Sequence, residues 1–454
     1  MGNNKNNQNR TTSAITTNTN VKGVFIMRKI LLISLSLLMI FLLAIGCTTK
    51  DSEDGKNQDQ TGNQVDDDTN NQAGVNIPAI DEMIVSAENW KDKFPLIYNS
   101  FITSSEVKDD VVEDNDLGGQ HPIDYLKKYP NIVVLYEGMG FAKEYYKARG
   151  HYYALDDVIN ISRPKPGAAC LSCKTGELER LHVVNGNNLF AMDFQQTVQD
   201  VENGITCYNC HRNQPGEAVH TIAPHFNAAI GKLATEPKSG TLACAQCHVE
   251  YYMNPENKEV ILPWENGTEI GEIEAYYDNI GFADWEHPRT GTPLIKVQHP
   301  EFEMSQGSIH ANMGVTCADC HMPTLEQNGE QYKSHWPTSP LKATKEACGR
   351  CHNEESESLI TRVEKIQQNV EAKEVQVSDL LVKLINDFAT AIEERRLDDN
   401  TIDQVRNLHR RAQYRWDFVF VENSTGFHNQ QKSLNALEEA KQYAQQAIDI
   451  IAQK

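Results

Sequence analysis

The clearest hydrophobic pattern lies in the last quarter of the chain. Leu359, Val363, Ile366, Val370, Val377, Leu381, Leu384, Phe388 and Ile392 recur at steps of three, four and seven. That is the period of a single apolar stripe on a long helix. Residues 401–422 and 433–452 predict two more helices. The region 354–454 is therefore expected to be long-helical, either as an intramolecular bundle or as a homodimer interface. From 80 to 353, Gly and Pro are frequent and long periodic runs are few, so short elements are expected there. The fold class that follows is mainly α, with little β.

Two segments near the start break this pattern. Ile30 to Ile45 is largely apolar and uncharged, preceded by Met27-Arg28-Lys29 and followed by Gly46-Cys47. That order describes a secretory signal, too short and wrongly flanked for a membrane span. A cysteine at the cleavage point resembles a bacterial lipobox, although Ala44 stands where a larger aliphatic residue is commoner. Residues 27–47 then form a lipoprotein-type signal with lipidation at Cys47, and the alternative is an uncleaved signal anchor. Either way the protein is expected outside the cytoplasm, on the outer face of the cytoplasmic membrane. Residues 1–26 read as an upstream extension, with Met27 the true start. Residues 48–79 carry seven acids against Lys50 and Lys56 among Asn, Gln, Gly and Thr. Such a segment cannot bury a core and is expected to be a flexible tether.

Charge narrows the partners. The formal net charge is -21, which argues against nucleic acid. An acidic exterior does not attract an anion either, so any anion site needs local positive charge.

The cysteines carry the chemistry. Ten of the eleven fall into five Cys-x-x-Cys pairs: Cys170/Cys173, Cys207/Cys210, Cys244/Cys247, Cys317/Cys320 and Cys348/Cys351. Random placement would give about 0.24 such pairs. Four pairs run on into His211, His248, His321 and His352. Cys-x-x-Cys-His is the attachment signature of c-type haem: the thiols add to the vinyl groups and the histidine ligates iron. Zinc knuckles need no histidine directly after each pair, a thioredoxin-like site needs only one pair, and disulfide frameworks suit small chains. The haems themselves are expected to form most of the core between 80 and 353.

A haem used only for electron transfer is held low-spin by a second axial ligand. Candidates are His121, His151, His182, His220, His225, His287, His299, His310, His335, His409 and His428, and sequence distance does not choose among them. The fifth pair is followed by Lys174 instead of histidine. Lysine ligates iron only as the neutral amine, which burial and the metal both favour. A haem singled out in this way is the one expected to do chemistry, fed by the other four.

One CxxCK site with four CxxCH sites resembles pentahaem cytochrome c nitrite reductase, the ammonia-forming, calcium-containing type. CAQCHVEYY, LIKVQHPEFE, SIHANMGVTCADCHMP and RRAQYRWD are similar to that family's segments, in the same order, and the resemblance covers roughly Ala87 to the C-terminus. It implies catalytic roles for Arg163 in DVINISR, Tyr251 in HVEYY and His299 closing LIKVQH. It implies a calcium ion held by Glu250, Tyr251, Lys296 and Gln298, two of them through backbone carbonyls. It implies distal ligands His335, His151, His428 and His310 for the second to fifth haems, with the loop around His428 departing from the family pattern. The implied cofactors are five c-type haems and one calcium. The implied partners are nitrite, a membrane quinol-oxidising cytochrome c as electron donor, and a second copy in a homodimer. The implied reaction is six-electron reduction of nitrite to ammonium, with side activity on hydroxylamine and sulfite. A pure electron wire, or a multihaem enzyme acting chiefly on hydroxylamine, sulfite or tetrathionate, is the rival reading.

Overall fold

The computed structural model describes residues 77–106, 121–217, 219–233 and 237–454. The upstream extension, the signal with Cys47 and all but the last residues of the tether lie outside the described residues. Short helices dominate up to residue 353. Among those that frame the site are α1 (Ala154–Asn160), which leads to Arg163, α2 (Leu178–Asn185), which follows Lys174, and α3 (Ile270–Asn279). A reciprocal capping box between Glu269 and Glu272 starts α3. Among the described residues the strands form three two-stranded antiparallel hairpins: β1 (Tyr252–Met253) with β2 (Val260–Ile261), β3 (Trp285–Glu286) with β4 (Pro293–Leu294), and β5 (Thr324–Gln327) with β6 (Glu330–Lys333). Glu250 and Tyr251 lead into β1, while Lys296 to His299 leave β4 as an extended segment. Two of the hairpins thus aim these short segments.

Three long helices close the chain: α4 (Ser356–Glu393), α5 (Asp399–Phe420) and α6 (Gln430–Ala452). The apolar stripe lies along α4, with Val370, Val377, Leu381, Leu384 and Phe388 fully buried. The two following helices begin a few residues earlier than their periodicity predicts, because polar caps extend them. The Asp398 carboxylate accepts from the Thr401 amide (2.8 Å) and Asn429 accepts from the Lys432 amide (3.2 Å). Helix α5 stops at Phe420, where the chain turns into a loop folded around Glu422.

A continuous side-chain core runs from Ile132, Leu135 and Tyr136 through Phe226, Trp264 and Tyr277 to Leu437 and Ile448. The short elements before residue 353 pack on the long helices through it. Asn131 donates to Ser378 Oγ (2.9 Å) and Asp379 Oδ1 (2.7 Å) of α4, so 80–353 and 354–454 share one packed unit. Among the described residues no helix is long and apolar enough to cross a membrane.

Candidate active site and haem cavity

Four motifs wind alike and one does not. The amides of His211, His248 and His352 donate to the carbonyls of Cys207, Cys244 and Cys348 at 3.0, 2.9 and 3.0 Å, an α turn. Cys317–His321 is a full helical turn started by a Thr316/Asp319 capping box. In each, both thiols and the imidazole leave one side of a single turn. At the fifth site the Lys174 amide donates instead to Leu171 (3.0 Å), after a 3₁₀ turn over Ala168–Leu171. The tighter 3₁₀ winding accompanies the change from histidine to lysine. Among the described residues, none of the ten motif cysteines is in a disulfide.

The motifs surround one cavity of ≈ 2710 Å³, against ~300–1,000 Å³ for a typical small-molecule site. Across it the histidines meet in pairs. Ring centres lie 6.3 Å apart for His211/His335, 6.5 Å for His151/His248, 6.1 Å for His321/His428 and 6.3 Å for His310/His352. Two imidazoles sharing one metal need roughly 6.2 Å between ring centres, from a metal–nitrogen distance of about 2.0 Å on each side. Room for a six-coordinate iron is therefore present at each pair. The ring orientation agrees where Nδ1 has a fixed partner: His321 Nδ1 faces Thr338 O (2.9 Å) and His335 Nδ1 faces Lys333 O (3.0 Å), leaving Nε2 for the cavity. His287 and His409 also approach, at 5.9 Å, but their nitrogens are engaged elsewhere. His287 Nε2 faces Val134 O, and His409 faces Thr292 and Gln413. His182, His220 and His225 face Asn187, Gln214 and the Gln246 carbonyl.

Arg163, Tyr251 and His299 line the same cavity as Lys174. The Arg163 guanidinium stacks 3.8 Å over the Phe141 ring, which fixes its plane. Its buried Nη1 has no hydrogen-bond partner, and burial lowers its pKa. A buried, unsatisfied guanidinium is costly unless an anion completes it. Burial, followed by the thiols of Cys173 and Cys170, raises the Tyr251 phenol well above its usual range, so it keeps its proton. His299 falls to about 4: burial outweighs the upward pull of Glu301, and the nearby charges of Lys174 and His248 add to the fall. The pocket thus holds a neutral imidazole in the cavity that the Arg163 guanidinium also lines.

Three of the residues named for calcium, Glu250, Lys296 and Gln298, lie in contact. The Glu250 carboxylate is fully buried; it accepts from the Gln298 amide (2.6 Å) and the Tyr277 hydroxyl (2.8 Å). The Gln298 side chain meets the Lys296 carbonyl at 3.1 Å, and a half-turn of its amide would present oxygen there instead. Burial raises the Glu250 pKa well above the usual carboxylate range; a cation beside it reverses that. The donor set fits a hard cation completed by water. Only the carbonyl of Lys296 is available to a cation, since its ammonium is bound to Asp417 at 3.0 Å.

Four acids escaped the sequence reading. Glu301 Oε2 lies 3.5 Å from His248 Nδ1, and Glu422 Oε1 lies 2.6 Å from His428 Nδ1. Glu303 accepts from the Glu250 amide (3.0 Å) and Trp264 Nε1 (2.8 Å), and burial raises it to about 8. Asp417 holds Lys296. In a chain this acidic, a single Asp or Glu carries no signal, although Glu301, Glu303 and Asp417 fall inside HPEFE and RRAQYRWD.

A helical fold threaded by five Cys-x-x-Cys sites, with histidines paired across a shared cavity, defines a multihaem c-type cytochrome. Within that class the chain belongs to the cytochrome c552 family, whose pattern matches residues 86–454. It is 34% identical over 407 residues to the cytochrome c nitrite reductase subunit NrfA of Nitratidesulfovibrio vulgaris, covering 80% of this chain and 77% of that one. It is 32% identical over 381 residues to cytochrome c-552 of Parabacteroides distasonis, covering 80% and 76%. The solved cytochrome c nitrite reductase of Desulfovibrio desulfuricans, described with two calcium sites, matches with a TM-score of 0.73 and 28% identity over 81% of this chain and 86% of that one.

Proposed function

We propose that the protein is an ammonia-forming cytochrome c nitrite reductase, taking nitrite to ammonium with six electrons and eight protons. The observation that carries this reading is the convergence of Lys174, Arg163, Tyr251 and His299 on one cavity, with the buried guanidinium nitrogen of Arg163 unsatisfied. In this reading Cys170 and Cys173 hold the reactive haem and Lys174 ligates it. Histidine pairs His211/His335, His248/His151, His321/His428 and His352/His310 hold four electron-transfer haems. When bound, these groups supply stored electrons and one open iron position for nitrite nitrogen.

The chain supplies the rest. Arg163 places positive charge and N–H donors against the nitrite oxygens, where negative charge grows as each N–O bond breaks. His299 is neutral in the free site; an anion arriving beside it raises its pKa and makes it the proton carrier. Tyr251, protonated throughout, donates a hydrogen bond. Calcium held by Glu250, the carbonyls of Tyr251 and Lys296, and Gln298 orders both hairpin-derived segments and adds positive field.

The same pocket suits hydroxylamine and sulfite as slower substrates. A membrane quinol-oxidising cytochrome c is the proposed electron donor, α4 to α6 the proposed homodimer interface, and lipidated Cys47 the proposed anchor on the outer face of the cytoplasmic membrane. The test is ammonium formed per nitrite consumed, with a reduced viologen as donor. One ammonium per nitrite, without released nitric oxide or hydroxylamine, is expected. No consumption by fully haem-loaded protein would leave the electron-wire reading in its place.

A further inference from the structure

The loop between α5 and α6 is built around one carboxylate. Glu422 has a side chain with 0% exposure, and its oxygens collect the loop's donors. The Ser424 amide donates to Oε1 (3.0 Å), the Ser424 hydroxyl to Oε2 (2.7 Å), and the Gly426 amide approaches Oε2 at 3.4 Å. Two consecutive left-handed residues, Thr425 (φ 51°) and Gly426 (φ 82°), fold the chain back onto it. Gly426 has no room for a Cβ, which would stand 2.5 Å from Val370. The Ser424 hydroxyl in turn accepts the His428 amide at 2.8 Å. The loop therefore delivers His428 Nδ1 to 2.6 Å from Glu422 Oε1. The contact is a close charge pairing whose direction does not make a hydrogen bond.

Four of the other paired histidines are held differently. His321, across the cavity from His428, points Nδ1 at the neutral carbonyl of Thr338, and His335 points at that of Lys333. Glu301 stands 3.5 Å from His248, and Glu354 stands 3.5 Å from His352 but is 43% exposed, where water screens it. Of these three carboxylates, Glu422 is the most enclosed and stands nearest its imidazole. A carboxylate on the far nitrogen of a ligating imidazole raises its basicity and fixes its orientation. A more basic axial ligand favours the ferric over the ferrous ion.

We infer that Glu422 is a positioning residue that orients His428 and lowers the reduction potential of the haem bound at Cys317 and Cys320. This rests on the proposed role of His428 as that haem's distal ligand.

The test is spectroelectrochemical titration of haem-loaded Glu422→Gln. One of the bis-histidine haems is expected to titrate at higher potential while the others stay in place. A titration superimposable on the wild type, with all haems loaded, would overturn the inference. A second measurement reads the ligand directly. In the near-infrared charge-transfer bands of the oxidised protein, which report axial-ligand basicity, one bis-histidine band is expected to move in Glu422→Gln; bands identical to the wild type would also overturn it. A separate variant, His428→Ala, distinguishes the two levels. If it leaves every bis-histidine signal intact, the ligand assignment itself fails. If it removes one signal while Glu422→Gln is silent, only the role of Glu422 fails.

Discussion

The Lys296 ammonium lies 3.0 Å from each carboxylate oxygen of Asp417, with both side chains enclosed. Asp417 also accepts from the Val297 amide (2.9 Å) and the Tyr136 hydroxyl. One residue of α5 thus ties down the segment that continues to Gln298 and His299. Asp417→Ala leaves a buried ammonium unpaired and is expected to cost ~3–5 kcal/mol of unfolding free energy. Asp417→Asn keeps part of the hydrogen bonding and should cost less. Urea denaturation of the haem-loaded variants measures the loss. Nitrite turnover should fall further than stability alone explains, because His299 loses its support.

Lys174→His converts the odd motif into a fifth CxxCH. The thiols are untouched, so mass spectrometry should still find every haem attached. Nitrite turnover is expected to fall at least tenfold, about 1.4 kcal/mol of barrier, because imidazole replaces the amine and the 3₁₀ turn was wound for lysine. Full activity with full haem loading would remove the special role of Lys174.

Removing positive charge at Arg163 should weaken the transition state more than substrate binding. For Arg163→Gln, kcat/KM for nitrite is expected to drop ~100–1,000-fold, in line with loss of a preorganised donor. Arg163→Lys should recover part of it, since the charge returns without the planar stack on Phe141. A change confined to KM would make Arg163 a recruitment residue only.

Chelation tests the cation. Prolonged treatment with a calcium chelator is expected to lower nitrite turnover and the thermal midpoint, both restored by calcium and poorly by magnesium, which resists giving up its water. Glu250→Gln should reproduce the chelated state irreversibly. An enzyme indifferent to chelation, with no calcium by elemental analysis, would mean that Glu250 is buried as a neutral acid.

What the chain discloses in advance follows from how local each signal is. The haem motifs and the α4 stripe are short-range patterns, and all could be read. The histidine pairs are not local: His428 lies more than a hundred residues from His321, and only the likeness to a known family named the partners that the fold brings to 6.1 Å. The buried acids were missed for a different reason. Glu422, Glu303 and Asp417 each accept a backbone amide, which carries no residue identity, and the side-chain partners of Glu303 (Trp264) and Asp417 (Lys296, Tyr136) are distant in sequence. The helix starts shifted because a single capping side chain outweighs several residues of periodicity.

Glu374 on α4 offers a pH test away from the proposed reaction. It is buried at 7% exposure, and burial, aided by Glu371 and Glu422, raises its pKa from 4.5 to about 8. The native state therefore keeps a proton that the unfolded chain releases near pH 4.5. Stability should fall as pH rises from 4.5 towards 8, at up to ~1.4 kcal/mol per unit, and level off above 8. Glu374→Gln has no proton to lose. It should match the wild type below pH 4.5 and exceed it by on the order of 2–4 kcal/mol at pH 8.5. Denaturant midpoints from pH 4 to 9 read the difference. Curves that stay parallel across this range would show that Glu374 is ionised in the native protein, with a counter-charge supplied by something bound in the cavity it lines.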